Sequence, residues 1–218
     1  GWTPQPLDLD PLAANDHVDA AATLWPGDPV EPAAARGMRT ELIFVDTSAP
    51  DHEQLLEAVR GAEDTRFYVV TIDAHSDGLD AVSQTLAIHN SVDAIHLIGH
   101  GAADELRLGA VTLSGDNLAE HAAQLSGWRE HLAPDADLLL YGCNLAATPQ
   151  GEWLLDQIAN LTAADVGASD DVTGHARLGG DWVLEYRHGD VATPLAFDAA
   201  RAAQWLGSLG SVEVTTHM

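Results

Sequence analysis

Two residues in this sequence are of types that do covalent chemistry together: Cys143, the single cysteine, and His100. Each stands among glycines, in Ile98-Gly99-His100-Gly101 and Tyr141-Gly142-Cys143-Asn144, and each follows a short apolar run. A thiolate attacks a carbonyl carbon, and a neighbouring imidazole takes or balances the thiol proton. The backbone N–H groups of Gly101 and Cys143 would then hold the developing oxyanion, and glycine at 101 puts no Cβ in the way of a substrate. The competing reading is plain: a lone cysteine after an apolar run is commonly a small core residue, and a lone histidine there a satisfied polar group. The joint placement, beside glycine at two strand ends, favours chemistry over packing.

That placement depends on the elements that carry it. Residues 42–45 (Leu-Ile-Phe-Val), 67–72, 94–98, 138–141 and 166–169 read as short apolar strands of the kind buried on both faces. Between them, helices are expected through Leu55, Leu56 and Val59, over 78–89, over about 116–132, and from Thr148-Pro149, as cap and first residue, to about Leu161. A last short helix is expected over about 199–206. Alternating strands and helices imply an α/β domain of three layers, α/β/α, with a mostly parallel sheet. Functional residues in such a domain lie just beyond the carboxyl ends of the strands, where His100 and Cys143 fall. Consecutive strands are commonly neighbours, so the two side chains are expected to face one solvent-reachable cleft. Two small hairpins are expected outside the main sheet, at 105–113 around Gly109-Ala110 and at 178–186 around Gly179-Gly180. The flanks read differently. Residues 1–39 form a Pro/Ala/Asp-rich leader with Trp2, Leu24 and Trp25 as anchors, 40–207 the domain, and 208–218 a disordered tail.

Composition narrows the partners. Of 218 residues, 34 are acidic and 9 are basic, all of the latter arginine, for a net charge of −25. Such a field repels nucleic acid and anionic lipid, and no apolar run is long enough to span a bilayer. One cysteine excludes an internal disulfide and a four-thiolate zinc site. His96 and His100 are four apart, but on a strand that separates them by about 13 Å, too far for a shared metal. Asp8, Asp10, Asp170 and Asp171 offer oxygen ligands to Ca²⁺ without matching an EF-hand or a glycine-rich calcium repeat. No other metal or cofactor is expected.

The blocks AIHLIGHG and LLLYGCN resemble the signature of the caspase-like cysteine peptidases, the group of caspases, gingipains, legumain and separase. The resemblance covers roughly residues 40 to 170. It implies a caspase-like fold, Cys143 as nucleophile, His100 as its partner and Gly101 in the oxyanion hole. It also implies a specificity pocket fed by the loops after the first and fifth strands, here Asp46, Asp170 and Asp171, whose carboxylates would favour a substrate Arg or Lys. After the nucleophile the sequence departs from caspases, with Asn-Leu in place of a glycine two positions on. Together with ELIFVDTSAPD, DGLDAV and LGGDWVLEY, the same blocks resemble a bacterial domain of otherwise unknown function. That domain lies near the start of giant secreted or surface repeat proteins of the cadherin-like and calcium-dependent adhesin type, and the likeness covers about residues 40–195. The expectation is a cysteine endopeptidase acting on a peptide or protein substrate, its own chain included, with Arg36 and Arg39 as candidate self-cleavage points. The alternatives are a catalytically silent anchoring module of an adhesin and a calcium-dependent interaction domain.

Overall fold

The computed structural model describes residues 37–210, all within one unit of the chain, Ala33–Met218. The leader anchors, Asp8, Asp10 and Arg36 lie outside the described residues. Six strands form the main sheet: β1 (Arg39–Asp46), β2 (Thr65–Ile72), β3 (Val92–Ile98), β7 (Leu132–Tyr141), β8 (Asp165–Ala168) and β9 (Tyr186–His188). Their order is β2-β1-β3-β7-β8-β9, parallel except for the antiparallel edge strand β9. Side chains alternate across it as a strand demands. Leu42, Phe44, Ile95, Leu97, Leu138 and Leu140 enter one apolar layer, shared with α2 (Gly78–Leu86), α3 (Leu118–Trp128) and α4 (Pro149–Thr162). Ile43, Val45, Ala94, Ile98, Leu139 and Tyr141 enter the other, against α1 (His52–Glu57) and α5 (Ala199–Ala202). Helices therefore cover both faces, as expected. The helix α4 starts as the sequence indicates, with the Thr148 side chain accepting from Gly151 N and Pro149 in the first turn.

The first expected hairpin is present. β5 (Glu105–Leu108) and β6 (Val111–Ser114) pair antiparallel, and β4 (His100–Ala102) joins β5 to make a separate three-stranded sheet. The second is not a hairpin: Ala176–Leu178 is a 3-10 turn, and residues further on pair instead with β8 as β9. Gly179, at φ 82, ends that turn rather than linking two strands. The expected tail boundary after 207 also moves, because Leu209 is fully buried and Gly210 bridges to Gly101.

One buried polar network ties the second layer together. Both carboxylate oxygens of Glu41 accept from Arg60 Nη2, at 3.0 and 2.8 Å, and one of them lies 3.0 Å from His96 Nε2. Tyr141 Oη lies 3.0 Å from His96 Nδ1 and accepts from Ala196 N at 2.9 Å. Burial holds His96 below its ordinary range, so the neutral ring donates from Nε2 to Glu41 and accepts at Nδ1 from the Tyr141 hydroxyl. His96 thus serves this buried network, held between Glu41 and Tyr141.

Candidate active site

β3 and β7 are parallel neighbours whose last registered pair is Ile98 with Tyr141. His100 and Cys143 each lie two residues beyond that pair, so the sheet carries both to one edge. The backbones meet closely there. A Cβ on Gly101 would come within 2.4–2.5 Å of Gly142 C and of Cys143 N and O, and one on Gly99 within 2.3 Å of Arg107 O. The glycines around His100 are therefore demanded by backbone contact, with the Gly142-Cys143 segment at one and β5 at the other. Immediately after the cysteine the chain turns through Asn144, at φ 57, a left-handed conformation that asparagine tolerates.

Neither candidate side chain faces open water: Cys143 is 1% exposed and His100 7%. The expected solvent-reachable cleft is filled by the chain itself, with residues 208–210 on one side and Thr173 on another. Thr173 N donates to Cys143 Sγ at 3.2 Å, and Sγ donates to Thr173 O at 3.5 Å. Burial pushes the thiol pKa up, against the Thr173 N–H, which favours the thiolate, and Asp171 adds to the rise. His100 Nδ1 lies 3.2 Å from Gly210 O; the carbonyl can only accept, so Nδ1 carries the proton in this pairing.

Gly101 N donates to Leu209 O at 2.9 Å, and Cys143 N donates to the same oxygen at 3.5 Å. The two amides named from the sequence both face that carbonyl oxygen, Gly101 N within ordinary hydrogen-bond range and Cys143 N at its outer limit. Thr173, Leu209 and Gly210 were not singled out in the sequence. Apart from the small residues in Gly207-Ser208-Leu209-Gly210, nothing local marks a segment that docks 66 positions after Cys143 (209 − 143).

The acidic pocket is corrected in part. Asp46 is fully buried, and its carboxylate accepts from Ser48 N, Ser48 Oγ and, across the molecule, Gly109 N at 2.7 Å. It braces the β5–β6 turn and has no face left for a substrate cation. Asp170 and Asp171 stay near the Cys143 turn, since Asn144 N donates to Asp171 O at 2.6 Å. With Glu185 they form a group whose oxygens lie within 4.8 Å of one another and could ligate a hard divalent cation such as Ca²⁺. Burial and the neighbouring carboxylates push Asp171 and Glu185 upward.

The chain is thus a three-layer α/β domain with a cysteine, a histidine and two converging amides at the carboxyl edge of its parallel sheet. It belongs to the family described as Domain of unknown function (DUF4347), whose profile matches residues 42–209. No curated protein matches the chain. Among solved structures, a small-chain dehydrogenase is similar at a TM-score of 0.30 and 13% identity, over 58% of this chain and 70% of that one. A likeness that faint says nothing about activity.

Proposed function

We propose that the domain is a caspase-like cysteine endopeptidase within a larger exported bacterial protein of the adhesin type. The observation that carries the reading is the shared hydrogen bonding of Leu209 O by the Gly101 and Cys143 amides, beside the only thiol in the chain. Cys143 attacks a peptide carbonyl and His100 accepts the thiol proton. The two amides hold the oxyanion, and the imidazolium returns the proton to the leaving nitrogen. Thr173 N–H, already on the sulfur, stabilises the thiolate that must form. The strongly acidic composition suits a salty, cation-rich medium outside the cell.

A second reading, a silent anchoring module, is favoured by one observation: the thiol is buried and its pKa is raised. A peptidyl ketone electrophile carrying leucine next to its reactive carbon separates the two. The peptidase modifies Cys143 at least about tenfold faster than the unfolded chain's thiol, with the advantage lost in His100→Ala. Modification of Cys143 no faster than in the unfolded chain, and indifferent to His100, would leave the silent module.

A further inference from the structure

Residues 208–210 cross the sheet edge as an extended peptide held on both sides. Leu209 N donates to Thr173 O at 3.0 Å, while Leu209 O accepts from Gly101 N and Cys143 N. Gly210 bridges parallel to Gly101, and Ser208 bridges antiparallel to Gly174. An enzyme that cuts peptides grips an extended substrate through such main-chain pairing and reads side chains in pockets between the pairs. Here the Leu209 side chain is fully buried in the apolar cluster that also holds Ile98, Tyr141, Cys143 and Trp205. Beyond it, Gly210 faces both reactive groups: a Cβ there would lie 3.6 Å from Cys143 Sγ, and its carbonyl lies 3.2 Å from His100 Nδ1. The carbonyl in the two-amide cradle and the residue between sulfur and imidazole thus belong to consecutive residues of one chain.

We propose, resting on the peptidase reading above, that this domain cuts its own Leu209–Gly210 bond, and that its acyl-side pocket selects leucine rather than a cation. In the first step Sγ bonds to the Leu209 carbonyl carbon and the thiol proton passes to His100. The bond to Gly210 N then breaks, that nitrogen takes the proton, and Leu209 is left as a thioester on Cys143. Water hydrolyses the thioester, giving the Leu209 carboxylate and restoring the thiol; residues 210–218 leave with Gly210 as a free amino terminus. The earlier candidate Arg39 cannot serve. It opens β1 in register with Thr65, at the amino edge of the sheet, while Cys143 lies beyond the carboxyl edge. Reaching the nucleophile would require unpairing a central strand.

The test is intact-mass spectrometry of the whole chain, incubated near neutral pH with a thiol reductant. The expected product is a single chain ending at Leu209, absent from Cys143→Ala and His100→Ala. Added hydroxylamine should capture the thioester as a hydroxamate on Leu209. Leu209→Ala, with its fold checked by circular dichroism, should be cut about 10- to 100-fold more slowly, the usual loss when an apolar pocket is emptied. If wild-type chain keeps residues 210–218 while its Cys143 reacts with the peptidyl ketone in a His100-dependent manner, the self-cleavage proposal falls and the peptidase reading stands. If neither happens, both fall. A cut at another bond overturns the assignment of Leu209 alone.

Discussion

Cys143 is the residue on which chemistry and stability meet. Its thiol ionises ordinarily near 9.0 in the unfolded chain, and burial raises that value in the folded one. Above the ordinary value, the unfolded chain therefore binds fewer protons than the folded chain, and stability falls as pH rises toward the folded pKa. Tyr141 and Tyr186, also pushed up chiefly by burial, add a similar loss starting from their ordinary 10.0. The cysteine share is isolated by comparing His100→Ala with His100→Ala/Cys143→Ala, neither of which cuts itself. In urea titrations from pH 8 to 10, the single variant should lose stability more steeply above about 9 than the double variant. Parallel slopes would mean that the thiol ionises as freely folded as unfolded, and that burial does not hold it protonated.

At the scale of elements, the two strand–glycine blocks make the site. β3 and β7 are legible because each ends in a short, mostly apolar run, residues 94–98 and 138–141, and His100 and Cys143 because each follows such a run into glycine. The substrate-like strand was not legible. Residues 208–210 carry no periodicity, and what orders them is pairing with Gly101, Thr173 and Gly174, partners that sequence reading cannot assign to them. The same limit explains Asp46, which read as a pocket carboxylate at a strand end but is drawn inward by the distant Gly109 amide. It also explains β9, whose partner β8 lies 18 residues earlier, counted from Ala168 to Tyr186 (186 − 168). Gly101 tests the block most directly. A methyl group there would fall 2.4 Å from Gly142 C, backbone that cannot swing aside as a flexible side chain does. Gly101→Ala should push β4 away from the nucleophile loop, abolish cleavage at Leu209, and lower stability by about 1–3 kcal/mol, the range for overpacking a tight site. Thermal unfolding and intact mass read the two effects; a Gly101→Ala chain that cuts at the wild-type rate would remove the Gly101 amide from the mechanism.

For the whole molecule, charge decides whether one copy can act on another. The net charge of −25 already counts every arginine, of which Arg39 and Arg60 pair with Glu41 while Arg129, Arg187 and Arg201 donate to backbone carbonyls. Two copies therefore repel, over about 30 Å at 0.01 M salt and only about 8 Å at physiological strength. Cleavage between copies would require an encounter against that field, so its rate would climb with salt and in proportion to protein concentration. Cleavage within a copy requires no encounter, because the bond is already seated on the Gly101 and Cys143 amides. The rate constant for loss of residues 210–218 should accordingly be the same over about a hundredfold range of protein concentration. Salt from about 0.01 to 0.15 M should raise the melting temperature by relieving self-repulsion, yet leave that rate constant within about twofold. A rate constant that instead doubles with each doubling of protein would show that the seated strand is a plug. In that case, the bond being cut would reach the nucleophile only from a neighbouring molecule.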